Sequence, residues 1–523
     1  MPPPLAAIGP WDYAVLSAYL LAMVAVTLYA ARKDRTSSDY FLAGRSIPAW
    51  VAAISITGAA FSGSTFVATP DESFFRNISP LVLFFSCVAG ACIAAVFFVP
   101  RLYAAGTTTV YGYLNQRYGP GAQYASSVAF LVGRLLNSGG RLFVAALPLC
   151  IFFVSTAPTP GQLVLAICVI GLIGTAYTFV GGICAVVWVD VIQLSVVAGS
   201  AFVAIAVLLH KIPVPLSELW SVFSQPGTGV GTGSKLQLLD FRLDPSVANT
   251  VWAVFTVAPL FWIASLTTDQ DFAQRFLITK DRKRAAFAVI GSQFVGSAGV
   301  AIFLFIGLLL WVFYKRPDIM GAAAPIGDIP LASIFPTFLA TQMPPIFGGL
   351  AIAGFFAIAQ GSMDSAINAM ASSFINDLYQ PLRARRGLPP PGILADRIAT
   401  LCMGVLMTAF AVACVFLFDP RGGGSLFFFL FGLSTYSYSA LLGVFIAAMF
   451  TRRGTVITVV AALATGFAVS LLLEPAVAHS WCSALDLAPL KLGPYWRMAI
   501  ATTLSFAVCI LAATPGRTPP AAT

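Results

Sequence analysis

Charge is scarce in this chain. Only 9% of its 523 residues are Asp, Glu, Lys or Arg, where a soluble domain carries about 25%. There is too little polar surface to cover a globule in water, so lipid must act as the solvent. Histidine is almost missing: the only two are His210 and His479. No Cys/His cluster, HExxH or nucleophile elbow occurs, which removes the usual enzyme and zinc readings. The nine cysteines are scattered, mostly within apolar runs, and form no disulfide framework. A net charge of +9 is no sign of nucleic acid, because the basic residues flank apolar spans.

What is abundant is apolar sequence, 59% of the chain. A helix needs about 20 such residues to cross the hydrocarbon core. Thirteen runs qualify, near 13–31, 49–69, 80–100, 122–155, 162–180, 184–209, 248–268, 285–314, 346–376, 397–418, 425–450, 454–474 and 495–514. The first lacks a basic stretch before it and reads as a retained helix, not a cleaved signal. The fourth is too long for one straight span and should protrude or bend at Gly139 and Gly140. With the N-terminus outside and the C-terminus cytoplasmic, most of the 29 Lys and Arg residues fall on the inner side, Arg275 among them. The long outer loop 210–247 reads as a lid or as plain connector.

Thirteen spans allow a five-plus-five inverted repeat, 49–210 against 248–453. Residues 1–48 would add an extra helix and a cytoplasmic loop, 211–247 an extracellular loop, and 454–523 the last helices and a tail. Each repeat opens on a breakable helix. Run two holds Gly58 and Gly63, and run seven holds Pro259 and a polar end, Ser265 to Thr268. Paired interrupted helices point to a midplane binding site.

Ionisable residues inside spans are costly and mark function. Asp190, Asp364, Arg134 and Arg141 qualify. Ser362 and Ser365 gather hydroxyls beside Asp364 on one helix face, a setting that suits a hard cation. Packing between helices is the plainer use of such serines. Asp190 lies eight residues past Gly182, about 12 Å along a helix at 1.5 Å per residue. Arg134 and Arg141 are seven apart and share a face. Arg134 either pairs with Asp190 or Asp364 or receives a solute carboxylate in a bidentate fork. For Arg141 a structural pairing is the leading reading.

Five motifs in order carry a resemblance. They are Asp39-Tyr40-Phe41-Leu42-Ala43-Gly44-Arg45; Phe61-Ser62-Gly63-Ser64-Thr65-Phe66; Gly181-Gly182 through Trp188, Asp190 and Gln193; Thr268-Asp269-Gln270 with Gln274-Arg275; and Ser362 through Asn368 to Asp377-Leu378-Tyr379. Over 10–455 the chain resembles the sodium:solute symporter family. The resemblance implies an all-α integral membrane protein with the leucine-transporter type of five-plus-five inverted repeat. It implies Na⁺-driven symport of a small organic solute across the plasma (inner) membrane, with no cofactor beyond the coupling ion. It maps one Na⁺ site to Gly58, Phe61, Ile358, Gly361 and Ser362, with glycine at 361 where a hydroxyl is usual. It maps a second to Asp190, Asp364 and Ser365. Solute contacts are expected from Ala59, Ala60, Ser62, Thr65, Arg134 and the stretch Trp262 to Thr268, which includes Ser265. Ala60 replaces the asparagine typical of sugar carriers, and Arg134 favours an organic acid. Two rivals stand beside this reading: a proton-coupled carrier of the same fold, and a solute sensor acting through a partner.

Overall fold

The computed structural model describes residues 9–32, 36–61, 63–153, 158–321, 334–417, 426–488 and 490–512, and among these it contains no β-strand. The helices that position the site are α1 (Pro10–Ala31), α2 (Ala49–Ala60), α3 (Gly63–Phe75), α4 (Ser79–Ala104), α5 (Pro120–Phe153), α6 (Pro160–Lys211) and α7 (Ala258–Thr268). They continue with α8 (Gln270–Leu277), α9 (Arg282–Lys315), α10 (Phe347–Ser373), α11 (Ile393–Leu417), α12 (Leu426–Phe450), α13 (Val456–Leu472) and α14 (Pro494–Cys509). Each apolar run overlaps helix among the described residues, with run two divided between α2 and α3 and run seven between Val251–Thr256 and α7. By length and composition, seven helices among the described residues are apolar enough to cross a membrane, or nine if each of two bent pairs counts as one span.

The apolar residues that remain outside explain the solvent. Leu172 is 72% exposed and Ile457 80%, and such a belt is stable only against hydrocarbon. The centre is α10, where 94% of its most apolar window is buried, against 22% for α1. Asp12 pins α1 to the start of α10: its carboxylate accepts from the Gly349 amide at 2.6 Å and from the Gly9 amide at 2.9 Å.

Two breaks and one hinge set the geometry. Phe61 is extended (φ −72, ψ 139), and the axis turns by 67° between α2 and the body of α3. The carbonyls at the end of α2 are thereby released from the helical ladder. Asp269 is likewise extended (φ −90, ψ 118) and separates α7 from α8. Run seven is therefore interrupted at Val257, just before Pro259 in the first turn of α7, where a short helix Val251–Thr256 ends, and Asp269 breaks the chain directly after it. As one rod, the 52 residues of α6 would extend about 78 Å, more than twice the hydrocarbon core. Gly182 folds them into two limbs with φ 52 and ψ −159, a backbone open essentially to glycine. A Cβ there would meet the Tyr40 carbonyl at 2.6 Å. The Tyr40 hydroxyl donates to the Thr178 carbonyl at 2.9 Å, so part of the first motif serves the hinge.

Two features bear on the fourth run and on the loop 210–247. α5 runs unbroken through Gly139 and Gly140. The first of these admits Phe410 of α11, whose Cδ1 would be 2.5 Å from any Cβ at Gly139. The loop 210–247 is fastened by Lys235, 1% exposed. Its ammonium donates to the carbonyls of Ser73, Phe74 and Arg76 at 3.0, 2.5 and 3.0 Å, at the C-terminal end of α3.

Candidate functional site

The two breaks face α5, α6 and α10, and the buried charges collect between them. Asp269 and Asp271 flank the α7–α8 break. Arg134 of α5 donates to Asp269 Oδ2 at 2.8 Å and also pairs with Asp271 Oδ2. The other oxygen of Asp271 takes Arg275, whose Nη2 reaches Asp190 Oδ2 at 3.3 Å. Arg275 Nε donates to Ser55 Oγ at 2.8 Å, and Ser55 in turn donates to Asp190. Tyr438 of α12 donates to Asp269 at 2.7 Å, and Ser365 of α10 to Asp271 at 3.3 Å. One continuous network thus joins α2, α5, α6, α8, α10 and α12. Its acids and guanidiniums are 0–2% exposed. Removing one partner of such a pair strands a buried charge, at roughly 3–5 kcal/mol.

Of the two readings of Arg134, a pairing with Asp190 or Asp364 and a fork for a solute carboxylate, the first has other partners than expected. The partners of Arg134 are Asp269 and Asp271, which take its two terminal nitrogens. Arg275, counted with the inner loops, is 0% exposed and bridges two carboxylates. Neither acid nor Arg275 stood out in sequence because the apolar run ends at Thr268. The break turns the polar stretch that follows back into the protein. The signal was present in the i, i+4 spacing of Asp271 and Arg275, an ion-pair interval on one helix face.

A second cluster forms where α2 ends. Gly361 of α10 faces that end with no side chain. A Cβ there would lie 2.8 Å from Gln193 Oε1, 3.7 Å from the Gly58 carbonyl oxygen and 3.8 Å from Asp190 Oδ1. Gln193 Oε1 and Asp190 Oδ1 are buried and hydrogen-bond to nothing among the described residues. Gly58 is equally close-packed, since its own Cβ would sit 3.5 Å from Asp190 Oδ1. Buried polar atoms are normally satisfied, so three oxygens around one point, two of them unpartnered, form a set that could hold a cation. Gln193 was quoted in its motif but given no role.

Asp364 is placed differently. Its carboxylate accepts from the Tyr177 hydroxyl and, at 2.6 Å, from the Ser365 amide. Ile358 and Ser362 are buried on α10, three residues before Gly361 and one after it. Phe61 is buried and packs its ring against Gly299 of α9. Of the expected solute contacts, Ala59 is fully buried, while Ala60, Thr65 and Trp262 are half-buried. Ser265 is buried, and Ser62 lies outside the described residues. The Ala60 carbonyl accepts from Arg141 Nη2 at 2.9 Å.

Comparison with known proteins agrees with this architecture. A model of the sodium:solute symporter family matches residues 40–466. The chain is 26% identical over 469 residues to a sodium/sialic acid symporter of Proteus mirabilis, covering 87% of this chain and 89% of that one. It is 27% identical over 477 residues to the human sodium/iodide cotransporter, covering 88% of this chain and 69% of that one. It is also 27% identical over 418 residues to human sodium-coupled monocarboxylate transporter 2, covering 77% of this chain and 63% of that one. The solved substrate-bound, outward-open structure of a Na⁺-coupled sialic acid symporter superposes with a TM-score of 0.79. It covers 96% of this chain and 97% of that one at 22% identity, and so shares the fold. With a family model matching most of its length, the chain belongs to the sodium:solute symporter family, carriers and not enzymes, and works by Na⁺-driven symport of a small solute.

Proposed function

We propose that the coupling Na⁺ binds between the end of α2, α6 and α10, and that the solute is a small organic anion. The observation that carries the ion site is the convergence on Gly361 of the Gly58 carbonyl, Gln193 Oε1 and Asp190 Oδ1. All are hard oxygen donors, and one carries a full charge. Glycine at 361 removes a hydroxyl and opens the space into which Gln193 reaches. The carbonyls of Phe61 and Ile358 and the hydroxyl of Ser362 complete the set on this reading. Asp364 and Ser365 with Asp190 make the second site. Binding there draws α2, α6 and α10 together and shifts the population toward the solute-competent state.

The charge balance supports an anion. Three guanidiniums (Arg134, Arg141, Arg275) stand against four carboxylates (Asp190, Asp269, Asp271, Asp364), which leaves one negative charge in excess. One Na⁺ cancels it, and a second admits a monoanion without net charge in the buried site. Sialic acid and monocarboxylates, the solutes named for several relatives, are organic acids. On this reading 49–210 and 248–453 are the inverted repeats, each opening on a broken helix. The thirteen runs all cross the membrane, the basic loops face the cytoplasm and the N-terminus lies outside.

Uptake of labelled carboxylates into proteoliposomes, in Na⁺ or choline at constant pH, tests the reading. Accumulation is expected only with an inward Na⁺ gradient. Equal uptake in choline that follows a pH gradient would instead assign coupling to protons.

A further inference from the structure

We propose that α1, which lies outside both proposed repeats, supplies a positioning residue to the ion site: the Tyr19 hydroxyl accepts a hydrogen bond from Gln193 Nε2 and so fixes Gln193 Oε1 toward the Na⁺. The assignment rests on the ion site proposed above between α2, α6 and α10. Most of α1 faces outward, and Leu21, Val24, Leu28 and Tyr29 are each more than half exposed. One stripe is buried: Asp12, Tyr19, Met23, Thr27 and Ala30, which share one face of a helix. That helix packs against α6 and α10. Asp12 takes the Gly349 amide at the head of α10. Thr27 packs against the α6 hinge, where a Cβ on Gly181 would meet its Cγ2 at 3.1 Å. Tyr19 lies between these two fastenings, about 14 Å along the helix from its start, well inside the hydrocarbon depth.

Tyr19 is 5% exposed. Its hydroxyl lies beside the Gln193 side chain, with Asp364 and Asp190 near enough to act on it. A buried tyrosine oxygen normally finds a partner. Here Tyr19 Oη, Gln193 Nε2 and Gln193 Oε1 are all buried, and none forms a hydrogen bond of normal geometry among the described residues. The two ends of an amide have the same shape, and only their neighbours decide which end faces which way. Oε1 lies on the Gly361 side, with the Gly58 carbonyl oxygen and Asp190 Oδ1 around the same point. A cation there takes Oε1 and leaves Nε2 in need of an acceptor. The nearby carboxylates are occupied: Asp364 by Tyr177 and the Ser365 amide, Asp190 Oδ2 by Ser55 and Arg275. Asp190 Oδ1 faces the ion. The Tyr19 oxygen is the acceptor that remains, and phenylalanine would fill the same space without it.

The plainer use of Tyr19 is packing alone. On that reading Tyr19→Phe deletes an unpartnered buried hydroxyl, so the Na⁺-free melting temperature holds or rises and the Na⁺ response does not change. On the proposal, Tyr19→Phe frees the amide to turn its N–H toward the ion. Apparent Na⁺ affinity should then fall by about 2- to 13-fold, as for one neutral hydrogen bond, with the Na⁺-free melting temperature kept. Purified full-length wild type, Tyr19→Phe, Gln193→Met and the double variant are titrated with NaCl, using choline chloride to hold ionic strength, and melting is read at each step. Gln193→Met keeps the side-chain length but removes both ends of the amide, so it should weaken the Na⁺ response by itself; Gln193→Leu replaces it if it does not fold. In that background Tyr19→Phe should cause no further loss, because the hydroxyl acts only through the amide. Unaltered Na⁺ affinity in Tyr19→Phe, beside an impaired Gln193→Met, would overturn the proposal and leave the ion site standing. So would equal losses from Tyr19→Phe in both backgrounds. Wild-type affinity in Gln193→Met would instead remove Gln193 from the ion site, and both that reading and this proposal would fall.

Discussion

Gly361→Ala and Gly361→Ser form a matched pair that tests the ion site at one atom. Both add the same Cβ. From the backbone, that atom lies 2.8 Å from Gln193 Oε1, inside any normal contact, but 3.7 and 3.8 Å from Gly58 O and Asp190 Oδ1, which is ordinary packing. Only Gln193 must move, and its amide sits at the end of a flexible side chain. If that oxygen ligates Na⁺, alanine removes one neutral contact, worth roughly 0.5–1.5 kcal/mol. That corresponds to about a 2- to 13-fold loss of apparent Na⁺ affinity. Alanine also relieves the conformational cost of a mid-helix glycine, up to about 1 kcal/mol. The Na⁺-free melting temperature should therefore hold or rise while affinity falls, a divergence that plain overpacking does not produce. Serine carries the same Cβ and supplies a hydroxyl oxygen, so its Na⁺ affinity should exceed that of alanine. The assay is a melting titration with NaCl at constant ionic strength, using choline chloride as balance. An alanine variant with an unaltered Na⁺ response, or a serine variant no better than alanine, would refute the reasoning.

Asp190→Asn should weaken the Na⁺ response by about 10- to 150-fold, the loss of a charge-assisted contact of roughly 1.5–3 kcal/mol. Asp364→Asn should cost less, because that carboxylate is already occupied by Tyr177 and Ser365; the two NaCl titrations rank them. Arg134→Ala should melt well below wild type, since it strands Asp269 and Asp271 at several kcal/mol. Adding Asp271→Asn should recover part of that loss, which a double-mutant cycle on melting temperatures measures. Lys235→Met removes three bonds to the end of α3 and should speed cleavage of the glycine-rich stretch 226–234 by external protease. The Na⁺ melting shift should not change.

The apolar runs marked out the long helices because length against a membrane is a local property: a run of about 20 apolar residues has few other stable fates. Asp190 and Asp364 were legible for the same reason, as carboxylates with apolar neighbours on both sides. The order of the five motifs likewise located the broken helices and the family. What chain order does not hold is which groups meet. Asp269, Asp271 and Arg275 read as the polar edge of a span until the break at Asp269 turns them inward. Gln193 entered the proposed ion site only when Gly361 came to face it from a neighbouring helix. Most telling are the two arginines, seven residues apart on one helix and chemically identical in sequence. Tertiary packing brings two carboxylates to Arg134 and a lone backbone carbonyl to Arg141. Residue type supplied the positive charges, but pairing depends on distances of a few ångströms between helices far apart in the chain. Only the folded arrangement sets those distances, because Coulomb and hydrogen-bond energies fall off over that length.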